Sequence, residues 1–154
     1  MDLLFFIKFI QLISGIVAMS CIIGAFKVIN GYQLGSPDFT FLFLTNFCIW
    51  IYSMFFIGYT LYRLSYPEEI LTWGIEVLFI VFLFSGGIAG TFSNVYQDCS
   101  KLANVSCNTL MTGILFTFLN MILFIVSLLR SIKNYKDNIR VDDSIIKTPR
   151  NCPI

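Results

Sequence analysis

The sequence predicts an all-α membrane protein, an antiparallel bundle of four transmembrane helices. Three observations predict it. Of the 154 residues, 57% are hydrophobic and only 12% charged, against about 25% charged in a soluble domain. Four separate stretches each approach or exceed the roughly 20 apolar residues that a spanning helix needs. The short segments between them carry the polar residues and the helix breakers.

The first stretch is Leu4–Phe26, and Asn30, Gly31, Gly35, Ser36 and Pro37 follow it. Its apolar run is longer than the roughly 7–15 residues of a secretory signal core, and no positively charged segment precedes it. With Ala18-x-Ser20 as its only cleavage-like pattern, it reads as a retained helix. The second stretch, Phe39–Leu61, stops before Ser65, Tyr66 and Pro67; the third is Ile70–Thr91. A polar connector, Ser93 to Asn108, then holds Cys99 and Cys107. The fourth stretch, Thr109–Leu129, leads into a charged end. Residues 1–130 therefore read as one transmembrane domain and 131–154 as a short basic tail.

Lysines and arginines near the span ends set the orientation. The end of the chain holds Arg130, Lys133, Lys136, Arg140, Lys147 and Arg150, and the second connector holds Arg63. Only Lys27 and Lys101 lie in the first and third connectors. The positive-inside rule then places both termini in the cytosol and the first and third connectors outside. Cys99 and Cys107 fall on the outer side, where disulfides persist. They read as a bridge closing the loop, or else as two free thiols. Asn104-Val105-Ser106 in that loop is an N-glycosylation sequon, crowded by the membrane. Cys152 stands third from the end, one place away from a prenylation motif. Arg130, Lys133, Lys136 and Arg140 would share one side of a helix continuing beyond the bilayer, each contributing about 1 kcal/mol near an anionic leaflet.

Composition also narrows the chemistry. The chain has no histidine, the commonest general base and metal ligand. Its five cysteines include no Cys-x-x-Cys pair, so the usual zinc and thiol-redox spacings are missing. A net charge of +1 offers no basic face to a nucleic acid. No enzyme activity, metal or cofactor is expected.

Helices in lipid associate through small residues and interhelical hydrogen bonds, and each span carries such a stripe. The first has Lys8, Gln11, Gly15 and Ala18; the second has Asn46, Ser53 and Thr60. The third has Glu76, Gly86, Gly87 and Gly90, and the fourth has Gly113, Thr117, Asn120 and Ser127. Most of these read as packing residues, with Phe, Leu and Ile turned to lipid. Tyr59, Tyr62, Tyr66 and Trp73 read as an interfacial aromatic belt. Glu76 stands apart, because an ionised carboxylate inside a span costs at least ~2.5 kcal/mol. Lys8 is at comparable depth and is its expected partner. The alternatives are a proton- or cation-coupled site, a lipid-headgroup contact, or a protonated Glu76 with Lys8 snorkelling to the interface.

The second half of the chain resembles the MARVEL family of four-helix membrane proteins. The resemblance rests on Trp73-Gly74-Ile75-Glu76, the aromatic-rich run Phe79 to Phe84, and Ser85-Gly86-Gly87-Ile88-Ala89-Gly90-Thr91. Cys99 and Cys107 follow, with the last helix starting just beyond. Within that family it is most similar to the fungal non-classical export protein 2 group. Two departures are Asn108-Thr109 after the second cysteine, where that group has arginine or another polar residue, and a shorter tail. The resemblance implies a plasma-membrane domain organiser associated with eisosomes and unconventional export. Its implied partners are the lipid bilayer, including sphingolipid, and other membrane proteins or further copies of itself. The rivals are a small proton- or cation-coupled transporter using Glu76, and a membrane thiol oxidase, which Cys99 and Cys107 fit poorly.

With seven of the ten basic residues in the tail or second connector, a C-terminal tag should be digested by protease added from the cytosolic side of sealed vesicles. Protection of the tag would overturn the assigned orientation.

Overall fold

Proline and acid open the second helix for a local reason. Pro37 lacks only an N–H that the first helical turn leaves unpaired, and Asp38 in that turn complements the positive end of the helix dipole. The computed structural model describes residues 3–26, 37–62, 69–101 and 105–146. Its elements are α1 (Leu3–Ala25), α2 (Pro37–Leu61), α3 (Glu69–Phe92), the short α4 (Asn94–Gln97), a 3-10 turn at Cys99–Lys101, and α5 (Cys107–Ile146). Four of these are long and apolar enough to cross a membrane, as the sequence predicts.

Two details go beyond the bounds of the expected spans. The last helix starts two residues earlier than Thr109 and runs well past Leu129. Its 40 residues extend about 60 Å, twice a hydrocarbon core of about 30 Å. One end therefore projects beyond the bilayer, and there Arg130, Lys133 and Lys136 are exposed. The third connector is also more ordered than a polar loop. The Ser93 hydroxyl caps α4 by accepting from the Tyr96 amide at 3.2 Å, which satisfies a first-turn donor.

The spanning helices form a ring in which α1 packs on α2 and α5, and α3 packs on α2 and α5. That leaves α1 opposite α3 and α2 opposite α5. Neighbours run antiparallel: Gly15 of α1 faces Asn46 and Trp50 of α2, and Gly113 of α5 faces Ala18 and Ile22 of α1. At the disulfide end the Ser106 amide donates to the Ala25 carbonyl at 2.8 Å, and Phe26 and Val105 form an isolated antiparallel bridge.

Buried positions advance by alternating steps of three and four. On α1 they include Lys8, Gln11, Gly15, Ala18, Ile22 and Ala25; on α5 they include Leu110, Gly113, Thr117, Asn120, Phe124 and Ser127. This spacing keeps one seam inward along nearly parallel helices. Phe6, Phe9, Ile13 and Ile16 occupy the outer side of α1, and Val77, Leu78, Val81 and Phe84 that of α3. Such exposure suits lipid.

Layers of opposite character result. Ile22, Ala25, Phe39, Leu42, Leu110 and Ile114 form an apolar layer at the disulfide end. Ser14, Asn46, Thr117 and Asn120 form a buried polar layer below it. Ile49, Leu83 and Phe124 make a second apolar cluster, and Lys8, Ser53, Glu76 and Ser127 follow.

Close approach of α3 and α5 depends on glycine. A Cβ on Gly87 would stand 2.7 Å from Phe118 Cζ, whereas one on Gly74 would meet nothing within 4 Å. Gly87→Leu should therefore cost about 1–3 kcal/mol through overpacking, while Gly74→Leu should be neutral or stabilising through helix propensity. Thermal unfolding of the purified variants in detergent checks this; equal effects would contradict the packing.

Candidate functional site

Lys8 lies in the second turn of α1, on the inward seam, and its side chain is fully buried. Glu76 lies two turns into α3 and is 2% exposed. Lys8 Nζ stands 2.5 Å from Glu76 Oε1. The pair crosses the bundle along the α1–α3 diagonal.

Further donors converge on the same oxygen. Ser127 Oγ of α5 donates to Glu76 Oε1 at 3.0 Å, and Tyr52 Oη of α2 approaches it at 3.5 Å. All four spanning helices thus meet at one carboxylate atom. The ammonium is also surrounded by aromatic faces. Its nitrogen lies 4.6 Å from the Phe124 ring centre, 4.9 Å from that of Tyr52 and 5.2 Å from that of Phe56. Cation–π attraction contributes most in such desolvated surroundings. Both charges are therefore compensated inside the bundle, by each other and by the side chains around them.

The second polar layer links α1, α2 and α5. Asn46 Nδ2 donates to Thr117 Oγ1 at 3.1 Å, and Asn120 Nδ2 donates to Asn46 Oδ1 at 3.3 Å. Ser14 Oγ donates to Asn120 Oδ1. Asn46 and Asn120 join the other diagonal, so a polar contact crosses each diagonal of the ring.

Gly86, Gly87 and Gly90 all lie on the buried face of α3. Gly86 and Gly90 receive side chains of α2, and Gly87 receives Phe118 of α5. Cys99 and Cys107 are joined by a disulfide with their Cα atoms 5.6 Å apart. Trp73 has more specific partners than a headgroup belt requires. Its Nε1 donates to Ser131 Oγ at 2.9 Å, and its ring meets Tyr135 edge-on at 5.3 Å. This clasp holds the projecting part of α5 against α3. Asn104, Lys27, Arg63, Tyr66, Lys147, Arg150 and Cys152 lie outside the described residues.

Sequence reasoning missed Ser14 and Tyr52, and it assigned Ser127 no partner. Ser14 was findable, being one turn from Gln11 beside Gly15. Tyr52 looks like one aromatic among many. Among the described residues, no group of three His, Cys, Asp or Glu side chains could hold a metal ion. An apolar cavity of about 170 Å³ lies between α2 and α3, where Tyr52 and Phe56 present their rings.

A sequence model of the MARVEL family, described as a membrane-associating domain, matches residues 2–129. The chain belongs to the MARVEL family. The match covers α1 to α3 and the membrane-spanning part of α5, so the described bundle is the MARVEL four-span membrane domain. No curated protein and no solved structure gives a significant match.

The disulfide closes a loop with a sequence separation of eight, and such a short loop should contribute about 2–3 kcal/mol on chain-entropy grounds. Unreduced peptide mass spectrometry should find the loop peptide two hydrogens lighter than its dithiol. Two alkylatable thiols in surface-isolated protein would refute the bridge.

Proposed function

We propose that this MARVEL protein is a non-enzymatic organiser of plasma-membrane domains. On this reading both termini face the cytosol, residues 1–130 form the membrane domain and 131–154 a basic tail. The observation that carries it is the MARVEL match across the four-span bundle, joined to an interior whose charges are spent on holding helices together. A carboxylate bound by Lys8, Ser127 and Tyr52 suits a fixed building block. It suits a coupled transporter less well, because a transported ion would have to displace those donors.

The finer assignment is to the fungal non-classical export protein 2 group, with a role at eisosome-associated domains and in unconventional export. Its support is the run from Trp73 through Thr91 with Cys99 and Cys107 after it. The lipid-facing phenylalanines and leucines would meet the bilayer, sphingolipid included, and other membrane proteins or further copies. Lys8 and Glu76 act here as a structural pair, and Gly86, Gly87, Gly90 and Asn120 as packing residues; Asn104 remains the candidate glycan acceptor.

A fluorescently tagged chain at native abundance should collect in patches at the cell cortex. A diffuse endoplasmic-reticulum pattern would contradict the organiser reading, and Glu76→Gln abolishing proton-coupled efflux would replace it with transport.

A further inference from the structure

Five buried polar atoms have no hydrogen-bond partner among the described residues: Gln11 Nε2, Gln11 Oε1, Trp50 Nε1, Ser53 Oγ and Glu76 Oε2. Gln11 and Ser53 are fully buried and Glu76 is 2% exposed. Lipid offers such groups nothing.

The register brings them together. The Cβ position of Gly15 lies 3.8 Å from the Asn46 carbonyl and 3.9 Å from Trp50 Cβ. One turn further along these antiparallel helices, Gln11 faces the stretch of α2 that ends at Ser53. Side chains on a helix lean toward its N-terminus, so the Gln11 amide leans toward Lys8. Lys8, three residues before Gln11 on the same buried seam of α1, holds Glu76 Oε1, which brings the second carboxylate oxygen to the same level. The three residues therefore lie at one level of the bundle, on three helices.

We infer that Gln11, Ser53 and Glu76 Oε2 form a binding site for buried water inside the membrane domain. The groups include donors, the Gln11 amide and the Ser53 hydroxyl, and acceptors, Gln11 Oε1 and Glu76 Oε2. A ligand that both donates and accepts fits them, and a buried water makes about three hydrogen bonds. Charge excludes the other small occupant. The Lys8 ammonium at 2.5 Å already balances the Glu76 carboxylate, so a sodium or potassium ion would put a second positive charge beside it. The water extends the polar layer toward Asn120 and completes the second oxygen of a carboxylate whose first oxygen is fully engaged.

X-ray radiolytic footprinting of the full chain in lipid nanodiscs tests this, because activated bound water oxidises neighbouring side chains that bulk water never reaches. Phe124 and Phe39 are both fully buried, but Phe124 lies at the level of the ion pair, its ring centre 4.6 Å from Lys8 Nζ, whereas Phe39 belongs to the apolar layer at the disulfide end. Phe124 should be labelled in the wild type and Phe39 should not, and Gln11→Leu/Ser53→Ala should lose the Phe124 label. Equal labelling of the two phenylalanines overturns the water site whether or not the double variant folds. Persistence of the Phe124 label in a folded double variant overturns its assignment to these residues. A melting temperature that rises with sodium over choline at constant ionic strength would show a cation there instead.

Discussion

A single oxygen atom, Glu76 Oε1, ties the four helices to one another. Lys8 reaches it from α1, Tyr52 from α2 and Ser127 from α5, while α3 supplies the carboxylate. The physical constraint behind this is desolvation. A charge taken out of water costs several kcal/mol even after relaxation, so neither partner tolerates a conformation that separates the two. Since α1 and α3 are diagonal, bringing Lys8 to Glu76 also fixes how far the adjacent helices can move apart. The rings of Tyr52, Phe56 and Phe124 fill the remaining space around the ammonium.

The alternating layers follow from the same constraint. Apolar contact between helices gains little over apolar contact with lipid tails, so an all-leucine seam would leave helix register weakly defined. Here the apolar layers of Ile22, Phe39 and Leu110, and of Ile49, Leu83 and Phe124, supply shape. The polar layers supply register, because sliding any helix by one turn would strand Asn46, Asn120, Glu76 or Lys8 without a partner. Glycines make the geometry reachable: Gly86, Gly87 and Gly90 let Phe41, Leu42 and Phe118 approach α3 closely. Near the start of α3, the Trp73–Ser131 bond adds a polar clasp to this interior packing.

The four-helix fold was legible because span length and hydropathy are coarse signals set by bilayer thickness. Lys8 and Glu76 were legible as isolated charges in apolar runs, where a partner is almost obligatory. Their surroundings were harder to read. Tyr52 and Phe124 differ from lipid-facing aromatics only in helical phase, and two helices must be docked before that phase has meaning. The continuation of α5 was legible only from the three- and four-residue spacing of Arg130, Lys133, Lys136 and Arg140, because hydropathy ends at the bilayer, whereas helix propensity and the Trp73 clasp do not. The capped turn at Ser93 escaped because a polar connector of that composition reads as loop. Gln11 was legible as a packing polar residue, but its lack of a partner appears only once the bundle is assembled.

The central claim is that Lys8 and Glu76 stabilise the bundle as a unit, and a double-mutant cycle measures that most directly. Lys8→Met, Glu76→Gln and the double variant nearly preserve side-chain volume, and each can be followed by unfolding in detergent. Each single change leaves a buried charge unpaired and should cost about 3–5 kcal/mol. The double variant should cost clearly less than the sum, since no orphaned charge remains. Strict additivity of the two single effects would mean that the charges do not act on each other and would contradict the account.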